Sequence, residues 1–191
     1  PASMITSVVV PSVAVTSTAV SALPSQGLFF RVVPSDKLQG SILAAQLPLA
    51  PTKFDMLVIN DSYGMSLQQS FFDATSKRPT VLATYAETGD TPVALMNQLQ
   101  AATSQIVNDS PYPNYVVAIT NTFTSQAVQN LQMLNLGSQI VMSDAAMTVD
   151  LLNLSSTGSA ATKMHLSRIL GIAPTVDLNN TTGTGVYSQF L

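Results

Sequence analysis

Phe54-Asp-Met-Leu-Val-Ile-Asn-Asp61-Ser-Tyr-Gly-Met-Ser-Leu-Gln-Gln-Ser-Phe-Phe72 is the stretch on which the fold turns. Met56 to Ile59 is a short apolar run that reads as a buried strand, and Asn60-Asp-Ser-Tyr-Gly64 reads as a tight turn. Met65, Leu67, Phe71 and Phe72 then recur near helical spacing. Strand, turn and helix make the unit of an α/β sheet, and ligands of such sheets sit beyond the carboxyl ends of the strands. Tyr63 therefore stands where a ligand can be touched.

Working outward, the same unit recurs. Downstream, Thr80-Val-Leu-Ala-Thr-Tyr85 is a second β run. Thr91-Pro92 looks like a cap with Pro at the first helical position, opening a helix over 93–106 with Leu95, Met96, Leu99 and Ile106 as its core side. Tyr115-Val-Val-Ala-Ile119 is a third strand, followed by a helix over 124–134 that carries Ala127, Val128, Leu131 and Leu134 and stops at Gly137. Gln139-Ile-Val-Met142 is another short strand, ending at Ser143-Asp144, and a short helix fits 145–154. His165 to Ile172 is a mixed run that reads as a final strand, leading through Pro174 to a polar tail over 177–185. Upstream, 12–15 and 29–33 read as strands by their β-branched and aromatic content. Ser35 or Asp36 caps a helix whose apolar face is Leu38, Ile42, Leu43 and Leu47. The alternation of strand and helix from 54 to 142 predicts an α/β fold, a parallel sheet with helices on both faces and right-handed crossovers.

Composition limits what such a sheet does. Charged residues are only 9% of the 191, against 46% hydrophobic, so Ser, Thr, Asn and Gln must carry the surface. A net charge of -3 with seven Lys plus Arg offers no basic stripe to neutralise phosphates, which argues against nucleic acid as a partner. The absence of Cys excludes disulfides, thiolate metal sites and a Cys nucleophile. No apolar run approaches the roughly 20 residues that cross a bilayer, so direct membrane insertion is not expected. The chain opens at Pro1 without a start Met, which reads as a portion of a longer protein.

The chemistry points to binding. The single His165 lies in an apolar run, and no Gly-x-Ser-x-Gly elbow presents a serine. Asp61, Asp90 and Asp144 all follow predicted strands, so a carboxylate pair or a metal site is open as an enzymatic alternative, though no spacing singles it out. There is no Gly-rich phosphate cradle, and no cofactor is implied. What remains is a row of polar and aromatic groups at strand ends: Thr16, Ser17 and Thr18, then Tyr63, Thr122 with Phe123, and Asp144. Hydroxyls and amides hold a carboxylate, a carboxylate holds an ammonium, and a ring covers an aliphatic side chain. Each of these residues is equally at home as a loop or capping residue, Thr16 to Thr18 as a cap for the turn at 19–23.

Two segments carry a resemblance. Phe29-Phe-Arg-Val-Val-Pro-Ser-Asp-Lys-Leu-Gln-Gly40 and Val58-Ile-Asn-Asp-Ser-Tyr-Gly64 resemble the type I periplasmic binding proteins, especially the substrate-binding proteins of branched-chain amino acid ABC transporters. In that family an Arg-x-x-Pro-Ser-Asp-x-x-Gln-Gly helix start precedes a strand ending in Asp-x-x-Tyr-Gly. Here one residue, Ser62, stands between Asp61 and Tyr63. Val13-Ala-Val-Thr-Ser-Thr-Ala19 is similar to the family's Ser-Ala-Thr turn, and Gly171-Ile-Ala-Pro-Thr175 to its Gly-x-x-Pro segment. The resemblance implies a periplasmic-binding-protein-like fold of two lobes closing on a ligand. Residues 1–28 would end the first lobe, and 29–191, with the polar tail, would form most of the second. It implies Thr16, Ser17 and Thr18 at the ligand carboxylate, Tyr63 closing over the ligand, Thr122 or Phe123 lining the wall, and Asp144 facing the ammonium. It further implies a non-enzymatic solute-binding domain for an amino acid or similar zwitterion, periplasmic or otherwise extracytoplasmic, as a lipoprotein or secreted protein, with an ABC permease as partner. A ligand-sensing receptor module of the same fold is the alternative. Thr16 stands where Ser is commoner, and Thr122 where an aromatic is, unless Phe123 takes its place.

Overall fold

Phe54–Ile59 (β3) is buried along its whole length, and its side chains alternate between two cores. In the computed structural model, residues 10–12, 29–31, 33–50, 52–86, 91–120, 126–128, 131, 138–146, 149, 151, 153, 166–175 and 186–190 are described. Phe54, Met56 and Val58 face one side and pack with Leu43, Leu47, Leu67 and Phe71. Leu57 and Ile59 face the other and pack with Leu99, Ala102 and Ile106. Val117 and Ile119 against Val116 and Ala118 repeat the division, as does Val141 against Ile140 and Met142. A period of two with both faces apolar requires covering layers on both sides of the sheet.

Ahead of β3 lie β1 (Val10–Ser12), β2 (Phe29–Arg31) and α1 (Asp36–Ala45). After it come α2 (Ser62–Ala74), β4 (Leu82–Tyr85), α3 (Pro92–Val107), β5 (Tyr115–Ile119), β6 (Gln139–Met142), a single 3-10 turn Asp144–Ala146, β7 (Ile169–Thr175) and β8 (Val186–Phe190). The main sheet has six strands in the order β4-β3-β5-β6-β7-β8. β4, β3, β5, β6 and β7 are mutually parallel, and β8 joins the edge antiparallel. β1 and β2 form a separate parallel pair. The α/β fold with helices on both faces is therefore as the sequence predicts: α1 and α2 cover one face, and α3 with the helical residues 126–128 and 131 cover the other. Each fully buried Phe or Leu of these cores contributes ~1.5–3 kcal/mol of transfer free energy.

The helices begin where their capping residues place them. Thr91 Oγ1 accepts from the Ala94 amide at 3.2 Å, with Pro92 at the first position. Asp61 Oδ1 accepts from the Gly64 amide at 2.7 Å. Ser35 is the cap residue of α1, but its backbone carbonyl does the bonding, to the amides of Leu38 at 3.0 Å and Gln39 at 3.2 Å.

Some expectations are corrected. The buried face of α1 is Asp36, Gln39, Gly40 and Leu43, continued by Leu47, whereas Leu38 is 44% exposed and Ile42 only half-buried. The cause is the crossing with α2. A Cβ on Gly40 would come within 2.6 Å of Phe71 N and Ser70 C, so the two helices touch backbone to backbone and α1 turns its glycine side inward. In α3, Leu95 and Met96 are only half-buried, and Ala102 and Thr103 take core places beside Leu99 and Ile106. A strand runs over Val10–Ser12, through Pro11, and residues 13–15 of the strand expected over 12–15 lie outside the described residues. β7 runs to Thr175, through Pro174, and β8 pairs with it, a strand the sequence reading does not contain. Pro174 is tolerated because the parallel ladder to β6 ends at Gly171, leaving one side of β7 with no ladder bond there to lose. Residues 177–185, His165, and most of the helix over 145–154 lie outside the described residues.

Candidate functional site

The chain leaves β3 for β4 on one side and then returns to β5 on β3's other side, so the strand order reverses between β3 and β5. At such a switch point the loops beyond the carboxyl ends separate and leave a crevice. The residues that stand over it are Asn60 to Gly64 after β3, Thr120 after β5, and Ser143 to Ala145 after β6.

Tyr63 is fixed there by the start of α2. Asp61 caps the helix, its carbonyl accepts the Met65 amide at 3.0 Å, and the Asn60 amide donates to the Tyr85 carbonyl at 2.7 Å. Gly64 permits the turn to lie on the end of the strand, since a Cβ there would meet the Ile59 carbonyl oxygen at 1.9 Å. The Tyr63 ring consequently packs against both cores, at the end of the sheet between its two faces.

Asp144 is held from the other side of β5. The Ser143 amide extends the β6 ladder to the Ala118 carbonyl at 3.2 Å, and the Ala146 amide closes the 3-10 turn onto the Ser143 carbonyl at 3.1 Å. That turn directs the Ala145 amide to Asp144 Oδ1 at 2.7 Å. The Tyr63 hydroxyl donates to the same oxygen at 2.8 Å. β3 and β6 are separated by β5, about 10 Å across two strand spacings, so this bond reaches across the crevice. Burial first, and the Asp144 charge second, push the Tyr63 phenol well above its ordinary value, outweighing hydrogen bonds from the Ser143 hydroxyl and the Ala145 amide. Tyr63 is thus a neutral donor at physiological pH.

Of the residues predicted for the site, Tyr63 and Asp144 are brought into direct contact. Thr16, Ser17, Thr18, Thr122 and Phe123 lie outside the described residues, as does Asp90. Asp61 is used as a helix cap. Among the described residues no three His, Cys, Asp or Glu side chains gather as a metal site would require, and no helix is long and apolar enough to cross a membrane. Sequence reasoning missed Ser143, which is fully buried and whose hydroxyl lies 3.4 Å from the Thr120 carbonyl. Its position as the first polar residue after a buried strand was the available signal.

Parallel strands with helices on both faces and a polar contact over the switch point make a doubly wound α/β sheet. Among solved structures, the chain is similar to an ABC transporter substrate-binding protein from Desulfitobacterium hafniense, with TM-score 0.59 and 15% identity over 90% of this chain and 46% of that one. An extracellular ligand-binding receptor from Verminephrobacter eiseniae gives 0.56 at 14% identity, over 81% of this chain and 41% of the other. An extracellular ligand binding receptor from Desulfohalobium retbaense gives 0.54 at 13% identity, over 80% of this chain and 25% of the other. The chain thus spans less than half the length of each of these proteins. No family profile matches the sequence, and no curated protein does.

Proposed function

We infer that this chain is part of an extracytoplasmic solute-binding protein for an amino acid or similar small zwitterion, acting by lobe closure and performing no chemistry. The observation that carries this reading is the Tyr63–Asp144 bond over the switch point. A carboxylate pinned by an amide and a phenol offers its remaining oxygen to an ammonium group, and the Tyr63 ring offers a face to an aliphatic side chain. Residues 29–191 would form most of one lobe and 1–28 the end of the other, with Thr16, Ser17 and Thr18 receiving the ligand carboxylate. Thr122 or Phe123 would line the wall between Tyr63 and Asp144. The substrate-binding and receptor titles of the structural neighbours support a binding role, and the ABC transporter substrate-binding protein among them supports an ABC permease as partner. The amino acid specificity rests on the side chains named.

Calorimetric titration of the full-length protein with the proteinogenic amino acids tests the reading. Saturable binding of at least one, weakened by Asp144→Ala, is the expected result. Heat-silent titrations with all of them would remove the amino acid assignment. The 191 residues by themselves are expected to bind weakly, because closure of a second lobe supplies much of the contact area. Two neighbours are titled receptors, and a sensory module is the second reading. It predicts that ligand changes the association of the protein with a signalling partner and not with a permease.

A further inference from the structure

β4 is the last strand on one side of the main sheet, with β3 inside it and no strand beyond it among the described residues. The Met56 amide donates to the Val81 carbonyl at 2.9 Å, and the Asn60 amide to the Tyr85 carbonyl at 2.7 Å. Val81 and Tyr85 therefore turn their backbone groups toward β3. Because N–H and C=O reverse direction at each residue of a strand, Leu82 and Thr84 turn theirs outward. Past the strand, the Ala86 amide is taken by Gln98 Oε1 of α3 at 3.2 Å, so the open ladder ends there.

This outer side is held firmly in place. The Thr80 amide donates to the Phe54 carbonyl at 2.9 Å, and the Val81 amide to Oδ1 of the fully buried Asp55 at 3.0 Å. Ala83 and Tyr85 are buried in the core that holds Leu99 of α3. Leu82 and Thr84 alternate to the other face and are exposed, Leu82 by 41%. The usual protections of such a strand are missing: natural edges carry a charge, a proline or a bulge that blocks pairing with another chain. Thr80 to Tyr85 contains no charged residue and no proline. The charges stand outside it in the sequence, Lys77 and Arg78 before the strand and Glu87 and Asp90 after it. Two copies laid antiparallel set the basic end of each strand beside the acidic end of the other, whereas parallel copies would set like charges together.

We propose that β4 is a homodimerisation edge, which pairs antiparallel with β4 of a second copy about a two-fold axis at Ala83. Leu82 of one copy then stands opposite Thr84 of the other. Each such pair exchanges both backbone bonds, so every outward group of the two strands is satisfied. A slip of one residue would set outward groups against inward ones, which fixes the register. The same patch serves both copies and closes on itself, so association stops at the dimer. The two sheets become one, with the side chains of Leu82 and Thr84 meeting across the seam. The dimer is independent of the solute-binding reading, since the crevice lies over β3, β5 and β6 and the seam runs along the far side of β4.

Analytical ultracentrifugation of the full-length protein over a concentration series, with amide hydrogen exchange at its two ends, tests the proposal. The expected result is a reversible monomer–dimer equilibrium, weak because the contact is short. Exchange at Leu82 and Thr84 should slow as the dimer fills, while exchange at Ala83, turned toward β3, stays constant. Thr84→Pro removes an outward amide from each copy, and proline is tolerated where an edge amide bonds nothing in the monomer. It should weaken the dimer by about tenfold or more, and Leu82→Lys, which sets a charge on the seam, should act in the same direction. A protein that stays monomeric at the highest concentration, whether or not the strand captures some other chain, would overturn the proposal. So would a dimer that neither variant weakens, or exchange at Leu82 and Thr84 that ignores concentration. If Thr84→Pro fails to fold, Leu82→Lys and the exchange of the unmodified protein decide between the same outcomes.

Discussion

At the carboxyl edge of the sheet Asp144 meets two donors, a phenol and an amide, whereas at the amino edge Asp55 meets one amide and keeps a buried oxygen with no donor among the described residues. The residue type is the same, and so is the placement against the end of a buried strand. What differs is the second partner. A second donor satisfies the Asp144 carboxylate and fixes its orientation. An oxygen buried without a donor disfavours the charged form, and burial raises Asp55 from 3.8 to about 6. The behaviour of an aspartate at the end of a strand is therefore set by the chemistry of its neighbours.

The largest expected effect separates the two edges outright. Gly64→Ala would drive a methyl into the Ile59 carbonyl, displacing the first turn of α2 at a cost on the order of 3 kcal/mol. Chemical denaturation should register that loss, while the Asp55 titration, at the far end of β3, stays where it was. An altered Asp55 midpoint in this variant would show that the edges are coupled and break the comparison. Tyr63→Phe removes one donor from Asp144 and should cost about 1.5–3 kcal/mol, as for hydrogen bonds to charged groups. Binding titrations on the full-length protein should weaken in parallel, since the carboxylate loses its alignment.

At the amino edge, Lys53→Met removes the cation from an ion pair whose side chains are 21% and 13% exposed. A loss of about 1 kcal/mol at neutral pH is expected, measured by thermal unfolding. The Asp55 midpoint should move upward, because Lys53 opposes the rise. The smallest change is a control that touches neither edge. Thr91→Ala deletes the cap of α3 for about 1 kcal/mol or less, and should leave both the Asp55 midpoint and the ligand affinity unaltered.

Much of this molecule is legible in its sequence, for identifiable reasons. Parallel strands buried on both faces must be continuous apolar runs, and Met56 to Ile59, Tyr115 to Ile119 and Gln139 to Met142 stand out as such. Thr91-Pro92 announces a helix by a mechanism that is entirely local. α1 is misread in its face because helical periodicity counts apolar residues, whereas a glycine contact with α2 turns Asp36 and Gln39 inward. β8 escapes because Val186-Tyr-Ser-Gln-Phe190 gains its strand character from pairing with β7 and has little of its own. Tyr63 and Asp144 are each legible as residues at a strand end, but their contact joins positions 81 apart and depends on the strand order. Asp55 is hidden within an apolar run, so nothing local marks it as a buried acid.

The approach of α1 to α2 at Gly40 has a mechanical meaning as well. Helices in backbone contact have no side-chain cushion to shear, and α1 and α2 should travel as one plate. β2 feeds the front of that plate through Pro34 and Ser35, and Tyr63 rides on its other helix, in the first turn of α2. Spin labels at Ala45 and Ala74 should keep a single sharp separation under conditions that broaden the separation between Phe30 and Ala45. Broadening of both would mean that the joint slips. A methyl group's absence at position 40 thus serves as the key that makes two helices one moving part.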